Sequence, residues 1–396
     1  MTMQMLSRYG RSALPTRSIA LAVCLAAGAV HCGSESDDNT KVPADQDAGN
    51  QDASDAGDGS DAATDAALPV SPAVGVVAIP PGYDTSEAGF RTIVDAGLRA
   101  QVDLLYFGYA QWASIETSPG TFDFSAFDGW LAAIAQQPFA YAMDVATPIA
   151  PFGLDVPEDL AKSSWDDPQL RSRYAAFLQA SVAFAPAGTR YVTLHVEGAT
   201  EYFGEHPAER DGFCDFMSEA VNVIHEARSD LLVGVYWRYE DQDASLRECV
   251  AGAADYLGLA FVLNPPGDSL DDIPVILNAY LEDTTKPVAI VEAGWPSADR
   301  FSSSDANQAE FVQRLFAAVQ GRGDRIPFIS YYTVFDEDRD VATAWVNAFY
   351  PSLPEDARQE LIDWVCSLGL LRSDGSEKPS WEAFTSAIEA ARGTKR

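Results

Sequence analysis

Two glutamates close apolar runs in this chain, and both stand where a reacting carboxylate could. Along Tyr191-Val192-Thr193-Leu194-His195-Val196-Glu197, period-two alternation sends Val192, Leu194 and Val196 to one face and Tyr191, Thr193, His195 and Glu197 to the other. In the run ending at Glu292, alternation puts Val288, Ile290 and Glu292 on a shared face, and Gly294-Trp295-Pro296-Ser297 then leaves the strand. A glutamate closing an apolar strand before Gly-Trp-Pro is hard to justify by packing. Two carboxylates converging on one glycosidic bond can hydrolyse it, one as proton donor and the other as nucleophile. Glu201, in Thr200-Glu201-Tyr202, fills the donor position in an alternative register.

Other side chains suit a site built around this pair. Trp112, Trp237 and Trp295 follow candidate strands, where an aromatic ring can stack on a sugar or pack into the core. His195 shares the face of Glu197; Asn264 and Tyr332 end strands and offer hydrogen bonds to a sugar hydroxyl. Asp144 also ends a strand, as a site residue or as a cap for the next segment, while Glu116, in the loop or helix start after the second strand, reads as structural. No cofactor and no metal are expected: four histidines without a His-Glu-x-x-His spacing leave little for a metal centre. The chain has no Gly-x-Ser-x-Gly elbow for a serine hydrolase.

The elements that must position these residues alternate. Short β-branched or aromatic runs at 74–79, 102–108, 139–145, 191–197, 231–236, 256–263, 287–292 and 327–334 are separated by longer amphipathic stretches at 87–100, 124–136, 167–184, 210–227, 245–254, 271–281 and 307–320. Eight βα units predict an α/β fold, a (β/α)8 TIM barrel, with functional side chains at the C-terminal ends of its strands. A doubly wound open sheet uses the same alternation but favours a Gly-rich loop after its first strand, where this chain has Ile79-Pro80-Pro81-Gly82.

A resemblance to a known group rests on several tracts. Val291-Glu292-Ala293-Gly294-Trp295-Pro296-Ser297 resembles the nucleophile strand of the clan of retaining (β/α)8 glycoside hydrolases, and is especially similar to that of family 17 β-glucanases. Trp112-Ala-Ser-Ile-Glu116 with Gly120-Thr-Phe-Asp-Phe124, Gln308-Ala-Glu-Phe-Val312, and Gly369-Leu-Leu-Arg372 with Lys378-Pro-Ser-Trp381 resemble further clan motifs, so the likeness spans residues 74–385. It implies Glu292 as nucleophile and Glu197 as acid/base. The chain departs from the clan at Val196, where an Asn that contacts the sugar 2-hydroxyl ordinarily precedes the acid/base; this lowers the expected rate or alters sugar preference, with His195 as a partial substitute.

Composition bounds the partners and the location. A formal charge of −33 makes nucleic acid and anionic lipid poor partners, and favours neutral carbohydrate over uronic-acid polymers. Residues 1–32 carry Arg8, Arg11 and Arg17 ahead of an apolar run from Ile19 to Val30, which is the pattern of an export signal. Cys32 is the candidate lipidation site of a bacterial lipoprotein, the membrane contact being only that anchor. His31 is large for a lipobox, so cleavage after Ala27-Gly28-Ala29 is the alternative. Residues 33–67 hold ten acids against Lys41 and read as a disordered linker. Residues 68–396 form the barrel domain, expected as a monomer, with Cys214 and Cys249 placed for a disulfide and Cys366 left free and buried. The rival to an exported hydrolase is a carbohydrate-binding surface protein on the same barrel.

Overall fold

The computed structural model describes residues 71–150 and 153–393. The expected export signal at residues 1–32, the candidate lipidation site Cys32 and the expected linker at 33–67 lie outside the described residues. Eight parallel strands close into a barrel in sequence order: β1 (Ala73–Val77), β2 (Leu104–Ala110), β3 (Ala140–Ala146), β4 (Thr189–His195), β5 (Leu232–Arg238), β6 (Tyr256–Val262), β7 (Val288–Gly294) and β8 (Phe328–Tyr331), which returns to pair with β1. The fold is therefore the expected (β/α)8 barrel. Among the described residues no helix is long and apolar enough to cross a membrane.

The connecting helices are α1 (Glu87–Ala100), α2 (Asp128–Ile134), α3 (Pro168–Phe184), α4 (Ala199–Glu205), α5 (Arg210–Ala227), α6 (Ala244–Val250), α7 (Asp272–Asp283), α8 (Asp305–Val319), α9 (Arg339–Phe349), α10 (Glu355–Val365) and α11 (Pro379–Gly393). Several start on a side-chain cap. The Ser86, Asp167, Ser304 and Asp338 side chains accept backbone N–H bonds at the heads of α1, α3, α8 and α9, satisfying donors that the first turn leaves unpaired. The Cys214–Cys249 disulfide joins α5 to α6 with Cα atoms 5.5 Å apart. Cys366 is free but only half-buried, contrary to expectation, because it sits at the end of α10.

Alternation along the strands sorts side chains into two clusters. Val192, Leu194, Val233, Val235 and Trp237 face the helices, while Leu104, Tyr106, Ala142, Tyr191, Tyr236, Tyr256 and Phe328 fill the barrel. The bulky interior rings need small neighbours: a Cβ on Gly234 would lie 2.1 Å from the Tyr256 ring.

Strand β7 breaks its own alternation, and this corrects the expected shared face of Val288, Ile290 and Glu292. Val288 and Ile290 pack on the helix layer, whereas Ala289 and Val291 join the interior cluster. Leu259 pairs with Ile290 but Ala260 with Glu292, and on the other edge Ile329 pairs with Ile290 but Tyr331 with Ala293. One extra residue in β7 thus opposes both neighbours, and this bulge turns Glu292 to the side of the inward-facing Ala260.

The C-terminal motif tracts form a latch behind β7. Gln308 of α8 donates to the carbonyls of Trp295, Ser367 and Leu368 at 2.8, 3.0 and 3.1 Å, and accepts from Ser380. Buried Lys378 donates to Asp336 at 3.1 Å and to the Gly369 carbonyl at 2.8 Å. Burial pushes the Asp336 carboxyl up to about 6 despite Lys378, and pulls the Lys378 ammonium down. Gly369 passes so close to β8's extension that a Cβ there would lie 2.0 Å from the Asp336 nitrogen and 2.2 Å from the Phe335 carbonyl carbon. Both are backbone atoms and cannot step aside. Gly369→Ala should therefore destabilise the domain by about 1–3 kcal/mol, read as a lower calorimetric Tm; an unchanged Tm would show that the latch is slack.

Candidate active site

The C-terminal end of the barrel carries one layer of ionisable side chains. Asp144 projects inward from β3, His195 from β4, Glu197 from the residues just beyond it, Tyr236 and Arg238 from β5, and Glu292 from the bulge in β7. His195 bridges two carboxylates, with Nδ1 2.7 Å from Asp144 Oδ2 and Nε2 3.2 Å from Glu197 Oε2. Its ring stacks on Tyr236 at 3.9 Å between centroids, and the Tyr236 hydroxyl donates to Glu292 Oε2 at 3.1 Å. One imidazole therefore contacts the acid/base candidate directly and reaches the nucleophile candidate through one ring.

Burial dominates the electrostatics. Glu197 and Glu292 are 2% and 6% exposed. Desolvation would lower the His195 pKa, but Asp144 and Glu197 outweigh it and push the imidazole up to about 10, so it is a cation at neutral pH. Glu292 accepts from a phenol where Glu197 has an imidazolium. Burial, reinforced by Glu197 and Asp144, pushes its carboxyl up to about 8 against the pull of His195 and the Tyr236 hydrogen bond. Asp144 is raised by burial as well. Arg238 completes the balance with Nη1 4.0 Å from Glu197, Nη2 2.8 Å from Glu201 and Nη2 2.6 Å from Asp241.

The expected site residues divide accordingly. Glu197, Glu292 and His195 lie in this layer. Val196 faces the helices, so its side chain points away from the site, and His195 is the inward residue beside Glu197. Both ring nitrogens of His195 are engaged by carboxylates, which leaves it orienting Glu197 instead of contacting a sugar. Glu201 lies on the first turn of α4, drawn to Arg238. Asn264, after β6, accepts from Trp364 Nε1 at 2.7 Å, and Tyr332, after β8, packs against the same indole at 5.9 Å.

None of the three tryptophans stands open as a stacking platform. Trp112 is fully buried against Tyr174 and Phe177 and donates to Glu116 at 2.7 Å. Glu116 also accepts from Gly120 N and Arg173, which makes it a structural anchor. Trp237 points to the helix layer and donates to the Asp241 carbonyl. Trp295 stacks on Phe311 and donates to Ser303 Oγ at 2.7 Å. Tyr236 and Arg238, the inward neighbours of Trp237, were legible from the same alternation once Val233, Val235 and Trp237 are read as one outward face. Among the described residues no group of His, Cys, Asp or Glu is arranged to hold a metal ion.

No family model matches the chain, and no curated protein matches it. Solved structures do. An exo-beta-1,4-mannosidase from Opitutaceae bacterium strain TAV5 superposes over 82% of this chain with TM-score 0.62 at 14% identity; the present chain covers 60% of that enzyme's length. GH5_18 from Streptomyces cattleya, solved in complex with GlcNAc, matches over 81% of this chain and 80% of its own, with TM-score 0.62 and 16% identity. A psychrophilic glycoside hydrolase family 10 endo-beta-1,4-xylanase matches over 80% of this chain and 96% of its own, with TM-score 0.55 and 12% identity. At such identities the likeness is one of fold.

The raised pKa of Glu292 has a consequence for stability. The unfolded carboxyl ionises near 4.5 and the folded one near 8, so the folded state holds the proton longer, and stability from this group declines as pH rises between those values. Glu292→Gln removes that loss. Relative to the parent, its Tm should rise little at about pH 5 and clearly at about pH 8; an equal shift at both would show that Glu292 is not held neutral.

Proposed function

We propose that the protein is an exported retaining glycoside hydrolase acting on a neutral β-linked oligosaccharide or polysaccharide. The observation that carries this reading is the pair Glu197 and Glu292, brought from two strands into one buried layer and linked through His195 and Tyr236. The fold shared with a mannosidase and a xylanase supports it. In the first step a Glu292 oxygen attacks the anomeric carbon, the glycosidic C–O bond breaks, and Glu197 gives its proton to the leaving oxygen. In the second, Glu197 takes a proton from water, which attacks the glycosyl-enzyme and frees Glu292.

The resting protonation state leaves one adjustment to substrate. At neutral pH the structure favours a proton on Glu292 and a cation at His195, whereas the first step needs Glu292 ionised and Glu197 protonated. The Tyr236 hydroxyl, already donating to Glu292, stabilises the ionised form, and Nε2 of His195 lies 3.2 Å from Glu197 Oε2. Moving the proton from one carboxyl to the other leaves the net charge of the layer unchanged. The export signal and Cys32 support a location outside the cytoplasm, with the enzyme anchored by a lipid or released by ordinary cleavage. A second reading, a binding protein without turnover, draws on the same charge state, because a neutral Glu292 is a poor nucleophile.

Two variants separate the roles. Glu292→Ala should abolish hydrolysis of every substrate, including aryl glycosides with activated leaving groups, and added azide should restore it with inverted product. Glu197→Ala should lose about 10²–10⁴-fold on natural glycosides, far less on activated aryl glycosides, and accumulate a glycosyl-enzyme visible by mass spectrometry. Equal losses on both substrate types would reassign the acid/base, with Glu201 next in line. A wild type that binds oligosaccharide but turns over none would establish the binding reading.

A further inference from the structure

Two helices of this barrel do not belong to its outer layer. The apolar faces of α1, α3, α5 and α8 pack with the outward strand residues, as Phe90, Phe177, Phe213 and Leu315 show. Those of α9 and α10 do not: Ala342, Trp345, Val346, Leu361, Trp364 and Val365 share a cluster with the barrel interior and with Val77, Ile79, Val262 and Tyr332 at the C-terminal strand ends. The α9–α10 hairpin, inserted between β8 and α11, therefore lies on the mouth of the barrel.

Its contacts run across the rim. Trp345 meets Tyr83, in the turn after β1, edge to face at 6.0 Å. Trp364 donates to Asn264 after β6 and packs on Tyr332 after β8. Asp363 lies 3.8 Å from Arg300 after β7, and Arg300 also pairs with Asp356. Tyr350, at the end of α9, packs on this cluster with its ring 6.2 Å from that of Trp345, and its phenol pKa is raised by burial first and then by the charge of Glu197. Glu197 and Glu292, at the same end of the barrel, are only 2% and 6% accessible.

We infer that the α9–α10 hairpin, with Tyr350 at its edge, closes one end of the site and restricts the enzyme to the terminal sugar of a chain or to short oligosaccharides. This rests on the glycosidase reading above and assigns its mode of action. Under a roof tied to the loops after β1, β6, β7 and β8, a sugar can extend past the cleaved bond in one direction only.

The test uses wild-type enzyme and Tyr350→Ala on three probes: p-nitrophenyl β-glycosides of glucose, mannose and xylose, end-labelled β-1,4-oligosaccharides of the same sugars, and the soluble polysaccharides. Release of single terminal units, with no early loss of polysaccharide viscosity, is the expected result. Trimming the roof in Tyr350→Ala should raise kcat/KM on the longer oligosaccharides relative to the aryl monoglycoside by about 10-fold. An early fall in viscosity with internal fragments from the wild type overturns the inference and leaves the glycosidase reading standing. An unchanged ratio in Tyr350→Ala removes the roof from specificity and also overturns it. Failure to hydrolyse any probe, aryl glycosides included, overturns the glycosidase reading itself.

Discussion

Charge balance in one buried layer is the constraint to which the rest of this structure answers. Asp144, Glu197 and Glu292 lie at the barrel mouth with little water, where an unneutralised carboxylate is very costly. His195 offsets two of them by bridging Asp144 and Glu197, and Arg238 spreads its charge over Glu197, Glu201 and Asp241. The third carboxyl is met by a phenol and stays neutral instead. Each strand must deliver its group at the right height, and the layers below, built from Tyr106, Tyr191, Tyr256 and Phe328, are the rigid floor that fixes that height.

The latch behind β7 serves the same constraint. The strand of the nucleophile candidate leaves into a loop whose Trp295 carbonyl accepts from Gln308, and the same amide nitrogen reaches the Ser367 and Leu368 carbonyls after α10, tying the two segments together. Lys378 and Asp336 hold the next stretch of chain against it. Tracts that resemble the clan's motifs therefore act here at a distance from the chemistry: Glu116, Gln308 and Lys378 brace the loops that carry it.

How much of this was legible in the sequence depended on whether a local period decided it. Eight strands and their helices follow from alternation, and α1 and α5 begin and end where the amphipathic pattern places them. Alternation also placed Glu197 correctly on the inward face of its strand. It failed at β7, where the same rule put Val288 and Ile290 in the barrel, because a bulge arises from the fit of two neighbouring strands and leaves no mark in the period of the strand that carries it. Trp237 is the aromatic that follows the expected strand, but its outward face leaves Tyr236 and Arg238 as the residues pointing at the site. The roof of α9 and α10 was not legible at all. Its helices are amphipathic like the others, and nothing in a period says which core an apolar face will join.

The engagement of His195 also bears on the departure at Val196. Val196, the residue before Glu197, packs with the helix layer, so its side chain lies on the opposite face from the buried carboxylates. The inward position falls to His195, whose two nitrogens are taken by Asp144 and Glu197. What the layer gains is a cation fixed between Asp144 and Glu197. The two carboxyls are thus met differently, Glu197 by an imidazole and an arginine and Glu292 by a phenol, with burial raising the Glu292 carboxyl.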